Sequence, residues 1–221
     1  MVTNMICSHQ TLLNQNQRTI DSMEARDYCG AVVSSSSALE YHHGSIEAMR
    51  RERMQQTSSR PALSYDQCML LADIDESNNE DNDGIRCFIY DQAIPLPATV
   101  ADPETISPIL IFNAALAHHL FARHCNNETS ILYLQKAYAL YSLAYEAPDM
   151  DENPLFQFAV INNAAVIDLQ LSNNTESWDA NMEYLVCLYM VLMDRGCTSM
   201  LRRMQGILVN AVPSSPVAHV A

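Results

Sequence analysis

Asn113 and Asn163 each open the same word, Asn-Ala-Ala followed by an apolar residue. The first lies in LIFNAALAHHL, Leu110 to Leu120, and the second in VINNAAVIDLQ, Val160 to Gln170. A repeated apolar word constrains the fold more than composition does, because a helix with a broad apolar face must bury it against a neighbour. Both stretches follow a helix-start signal. Ser107-Pro108 offers an N-cap and a proline at the first helical position, and Asn153-Pro154 repeats the device. A stack of helix pairs, each covering the next, is the expected result.

The partner helices carry a repeat of their own. Polar breaks at His124–Ser130 and Ser172–Ser177 separate each first helix from a second. Ala137, Tyr141 and Ala144 fall at i, i+4 and i+7, and so do Ala180, Tyr184 and Cys187. Such positions share one helix face, where small residues admit a close neighbour. An N-terminal pair fits the same template. Its helices part near Ala25-Arg26, the second running from about Asp27 to Gln55 with Ala31, Ser35 and Ala38 at the same spacing. A closing helix is expected from Cys197 to Asn210, after a stop at Asp194-Arg195-Gly196. The expected layout is a first helix pair in 1–57, an inserted hairpin with loops in 58–100, two pairs and the closing helix in 101–212, and a tail in 213–221.

The hairpin expectation rests on Ser64–Ile74 and Ile85–Asp91, two apolar runs flanking an acidic loop with Asp83-Gly84 as its turn. That loop opens like a calcium site, with Asn79, Asp81, Asp83 and Gly84 at the first, third, fifth and sixth places. The twelfth place needs a bidentate carboxylate and holds Tyr90, so a hairpin loop is preferred to a calcium site. His42-His43 and His118-His119 are adjacent pairs. Neighbours on a helix diverge by about 100°, so neither pair makes a zinc site, and one ring packing while the other faces solvent is the expectation.

Net charge decides several function classes. Twelve basic residues face 26 acidic ones, a balance of −14, which disfavours a nucleic-acid binder. The longest apolar run, Tyr184 to Met193, is too short for the roughly 20 residues of a membrane span. The start lacks a basic segment followed by an apolar run, so an intracellular protein, cytoplasmic or nuclear, is expected. Seven cysteines without a C-x-x-C pair read as reduced core thiols. With five glycines and no phosphate-loop or G-x-S-x-G motif, neither a cofactor nor an enzymatic role is expected.

Asp27-Tyr28-x-x-Ala31 and the three small-aromatic-small triads resemble the tetratricopeptide-repeat (TPR) family, and Asn113–His119 with the closing Met193–Gly196 is similar to TPR-like proteins of unicellular algae. The first-helix Leu-Gly pair of that family is replaced by Arg18-Thr19, Ala114-Ala115 and Ala164-Ala165. The resemblance implies a mainly α, TPR-like α-solenoid of about three helix pairs, plus a closing helix and the inserted β-hairpin. It further implies a protein-interaction scaffold that binds a peptide on its concave face. Groove candidates carried over from it are Asn16, Ile20, Met23, Phe112, Leu116, His119, Asn162, Val166 and Leu169. These are polar-neutral or apolar, unlike the cationic clamps for acidic chaperone tails, so an apolar or basic segment is the expected ligand. Alternatives are self-association as a homodimer through the hairpin edge or last helix, and a small enzyme with an unfamiliar site.

Overall fold

The computed structural model describes residues 2–54, 87–98, 103–147, 154–173 and 175–195, together with Gly206, Leu208 and Asn210. Among them run six helices: α1 (Val2–Glu24), α2 (Tyr28–Met54), α3 (Pro103–Ala122), α4 (Asn127–Tyr145), α5 (Pro154–Ser172) and α6 (Thr175–Asp194). The chain is mainly α. None of the described residues lies in a β-strand.

The α1–α2 turn shows how side chains fix these boundaries. Arg26 takes a left-handed φ of 60°. Its N–H bonds to the Met23 carbonyl at 3.0 Å while the Asp27 N–H reaches Ser22 at 2.8 Å, the paired bonds of a Schellman end. Asp27 then caps α2, its carboxylate accepting from the Gly30 N–H at 2.9 Å. A Cβ on Gly30 would lie 2.1 Å from that carboxylate, so glycine makes room for the cap. Asn126 caps α4 in the same way, accepting from Thr129 N–H at 3.0 Å.

Pro108 departs from expectation. Helix α3 starts a turn earlier, at Pro103, and carries Pro108 inside it. Ser107 is therefore not its cap. The Ser107 hydroxyl instead meets His42 Nε2 of α2 at 2.7 Å.

Two compact units divide the chain, the first holding α1–α4 with residues 92–98, the second holding residues 87–91, α5, α6 and the described part of 206–210. In the first, α1 packs on α2, α2 on α3, α3 on α4, and α1 reaches α3. Leu12, Ala38, Ile106 and Leu110 form one apolar cluster there, joined by Leu96 from the non-helical segment. The α4 triad is completely buried: Ala137, Tyr141 and Ala144 are each 0 % exposed. Ala31, Ser35 and Ala38 of α2 are buried likewise.

In the second unit α5 packs on α6. Its core is Phe158, Ile161, Ala165, Met182, Leu185 and Leu192, with Phe88, Leu155, Trp178, Leu188 and Tyr189 against it. Here the expected triad faces outward. Ala180, Tyr184 and Cys187 are exposed, and α6 buries Met182, Leu185 and Leu192 instead. At about 100° per residue the inward stripe centres roughly 150° around the helix from the triad, close to the opposite face.

Of the expected hairpin, the Ser64–Ile74 arm and the acidic loop 79–86 lie outside the described residues. The described part of the second arm, Cys87–Asp91, joins no ladder. Its backbone is paired with side chains instead. The closing helix is described at Gly206, Leu208 and Asn210, all helical, and the tail 213–221 lies outside.

Candidate functional site

Backbone groups need partners when they leave water, and residues 87–97 have no helix or sheet to supply them. Asparagines supply them. Each primary amide offers a carbonyl acceptor and an N–H₂ donor side by side, matching the C=O and N–H that one residue of extended chain presents on the same edge.

In the first unit the captured residue is Ile94. Its N–H donates to Asn113 Oδ1 at 2.8 Å, and Asn113 Nδ2 donates back to its carbonyl at 2.7 Å. Asn113 Nδ2 also donates to Asn16 Oδ1 at 2.8 Å, and Asn16 Nδ2 reaches the Ile94 carbonyl at 3.3 Å. Two helices thus close a four-bond knot around one residue. Farther along, His9 Nε2 lies 3.2 Å from the Pro97 carbonyl, which can only accept, so that nitrogen carries the proton.

The second unit repeats the knot on Phe88. Its N–H donates to Asn210 Oδ1 at 2.7 Å, and Asn210 Nδ2 donates to its carbonyl at 2.8 Å. Asn210 Nδ2 also donates to Asn162 Oδ1 at 2.8 Å, and Asn162 Nδ2 reaches the Phe88 carbonyl at 3.1 Å. Asn163 adds a further clamp. It accepts from Tyr90 N–H at 2.8 Å and donates to the Tyr90 carbonyl at 2.9 Å. Asn162 steadies Asn163 by donating to its Oδ1 at 3.1 Å. Phe88 and Tyr90 are two apart, the spacing at which a strand shows the same backbone edge. Asn162 and Asn163 are each 0 % exposed, so these bonds are shielded from competition with water.

Side chains of the captured segment are held as well. Ile89 and Tyr90 are buried, and Phe88 lies against the α5–α6 core. A Cβ on Gly206 would stand 2.1 Å from the Phe88 ring, so glycine at this place is what lets the ring in. Burial also pushes the neighbouring Cys87 thiol up from its ordinary pKa.

The groove candidates separate into two sets. Asn16 and Asn162 grip the segment. Phe112, Leu116, His119 and Val166 are completely buried, Met23 and Leu169 nearly so, and Ile20 is partly covered. Phe112 and His119 both meet Tyr141 of α4, with ring centroids 5.7 and 6.1 Å apart. Asn113, Asn163, Asn210 and His9 lie outside the candidate set. The signal for two of them was the Asn-Ala-Ala word itself, and the alanines after it, Ala114, Ala115 and Ala165, are buried at helix contacts.

The histidine pairs behave differently from each other. His42 is buried on Ser107 while His43 approaches Glu47 at 3.8 Å in a half-exposed pair. His119 is instead fully buried and His118 is partly covered, its ring against Tyr133 at 5.4 Å, so neither is a fully solvent-facing ring as expected. Burial lowers the pKa of His42 and His118 to about 4 and that of His119 to about 3, aided by the charges of His43, Lys136 and Arg123 respectively. These rings are neutral packing elements at neutral pH. Neither ring nitrogen of His119 has a hydrogen-bond partner among the described residues.

Among the described residues no three His, Cys, Asp or Glu side chains gather as a metal site, and no helix is long and apolar enough to cross a membrane. No protein-family model, no curated protein and no solved structure matches the chain.

Proposed function

We propose that this protein is a non-enzymatic interaction scaffold that binds polypeptide in extended form by reading its backbone with asparagine amides. One observation carries the reading: Asn113, Asn163 and Asn210 each grip both the N–H and the C=O of a single residue. Such a grip fits any extended residue other than proline, which lacks the N–H. Consecutive packing of α1 on α2 and α3 on α4, with α5 on α6, supports a TPR-like arrangement in which first helices carry the ligand contacts. The net charge of −14 favours neutral or basic ligand segments over acidic ones.

Affinity capture from the native cell tests the proposal, using the full chain beside Asn210→Ala. Asn210 is only half-buried, so its loss removes one backbone-reading amide without opening the α5–α6 core. A polypeptide retained by the wild type and depleted on the variant is the expected result. The same captured set on both proteins would overturn the reading.

A further inference from the structure

In the second unit a non-helical piece of the chain is held by side chains of the same unit. Phe88 and Tyr90 are each held through both N–H and C=O, and they belong to no helix or ladder. The site that receives them has two parts. One is an amide array, Asn162, Asn163 and Asn210, which donates and accepts along one edge of an extended chain. The other is an apolar seat for Phe88, made by the α5–α6 core and by the missing side chain of Gly206.

An empty version of this site is unfavourable. Asn162 and Asn163 are wholly buried, and their amides would lose the backbone partners that Phe88 and Tyr90 provide. Leaving buried amides without hydrogen-bond partners is costly, so the segment leaves as another extended chain arrives. We infer that Phe88–Tyr90 is an internal occupant of the second unit's site, exchanged for a foreign extended segment with aromatic residues two apart, neutral or basic in charge. The inference rests on the scaffold reading above. It adds the class of ligand and the reason that a bound segment is already in place.

The occupant is tethered, which sets the scale of competition. A segment joined to its own site acts at an effective concentration of about millimolar, so a free peptide of equal intrinsic affinity binds weakly until the tethered one is loosened. Phe88→Ala loosens it by removing the ring while leaving Gly206 and all three asparagines in place. Losing a partly buried aromatic anchor weakens the internal hold by roughly tenfold.

The test is fluorescence anisotropy with a labelled synthetic peptide copying residues 85–93, serine replacing Cys87, titrated with the full chain and with Phe88→Ala. Trp178 lies against the same core and its emission reports whether the variant keeps its fold. Should Phe88→Ala lose that signal, Phe88→Leu takes its place. The expected result is binding about tenfold tighter to the variant than to the wild type. Two altered peptides complete it: one with alanine at both aromatic places, and one N-methylated at the tyrosine, which keeps the ring and removes the N–H. Both should lose binding to the variant. Equal affinity of the two proteins for the parent peptide would overturn the exchange and leave the scaffold reading standing. Undiminished binding of the N-methylated peptide would show that amides do not read the backbone, and both readings would fall.

Discussion

The two compact units use the same two sequence devices, and only one of them gives the same result in both. Asn-Ala-Ala places an asparagine on backbone in each: Asn113 on Ile94 in the first, Asn163 on Tyr90 in the second. The small-aromatic-small triad is buried on α4 and exposed on α6. The difference lies in what each device depends on. An amide clamp is a local match of donor and acceptor, complete once one extended residue lies across the helix. A packing triad depends on which face the neighbouring helix covers, and in α6 Met182, Leu185 and Leu192 offer a more apolar stripe close to the opposite face. Larger apolar area buried outweighs a closer backbone approach.

The largest expected contrast between the units comes from acid. His42, His118 and His119 all lie in the first unit, while the second has no histidine among its described residues. In the unfolded chain these rings titrate near pH 6.5, and in the fold near 4, 4 and 3. Between those values the unfolded chain takes up protons that the folded one refuses. Stability is therefore complete above about pH 6.5 and falls as pH drops toward 4. Thermal melts from pH 7 to pH 4.5 should lose helical signal by circular dichroism before the Trp178 emission of the second unit responds. Coincident loss of both signals would mean that the units unfold as one block.

Next in size is the buried tyrosine. Tyr141 is fully buried between Phe112 and His119, and Tyr141→Ala should cost about 3–5 kcal/mol, as large aromatic truncations in cores do. Tyr184, its counterpart in the α6 triad, is 45 % exposed and accepts a hydrogen bond from Gln157. Tyr184→Ala should cost about 1 kcal/mol or less. Urea denaturation of both variants measures the difference, and similar midpoints would show that the two triads are packed alike.

Much of this architecture is legible in the residues. The break at Ala25-Arg26, the α4 and α6 starts, and the Pro154 start of α5 follow from caps, prolines and polar interruptions that act within a few residues. The α3 start is not, because Ser107-Pro108 has the form of a cap, whereas its hydroxyl is engaged by His42, sixty-five positions away in sequence. The segment Cys87–Asp91 escapes for a deeper reason. Its β-branched and aromatic residues signal a strand, and the described residues 87–91 lie in neither a strand nor a helix. They carry no information on whether the partner is another strand or a row of side chains. The clamp is half visible: the repeated asparagines mark the helices, but Asn210 and His9 sit in no repeated word, and their target is nonlocal.

A narrower comparison sets the clamps against each other. Ile94 receives two donors on its carbonyl, from Asn113 and Asn16, and is itself only half-buried. Tyr90 is 3 % exposed and both its N–H and its C=O are paired by Asn163. Asn163→Leu should therefore cost about 2–4 kcal/mol and Asn113→Leu about 1–3 kcal/mol. Hydrogen exchange sharpens the result, since the Tyr90 amide should lose its protection in the first variant and the Ile94 amide in the second. Protection unchanged in either would mean that the amides are not what shields these N–H groups.

The smallest effect compares the two helix ends that turn left-handed. Arg26 closes α1 at φ 60°, and Asn173 follows α5 at φ 51°. A side chain in this region meets its own backbone, at a cost of about 1–2 kcal/mol for most residues, and asparagine is the one that tolerates it best. Both ends keep their hydrogen bonds whatever the side chain, because the donors are backbone: Arg26 N–H to Met23 and Asn173 N–H to Leu169, each at 3.0 Å. Glycine removes the steric cost but gains freedom in the unfolded chain, which returns part of the benefit. For Arg26→Gly the steric relief is the larger quantity, so a gain of about 0.5–1 kcal/mol is expected. For Asn173→Gly the two nearly cancel, and the midpoint should stay within about 0.3 kcal/mol of wild type. A stabilisation by Asn173→Gly as large as that by Arg26→Gly would show that the asparagine is strained too, and that its place there is owed to something other than the turn.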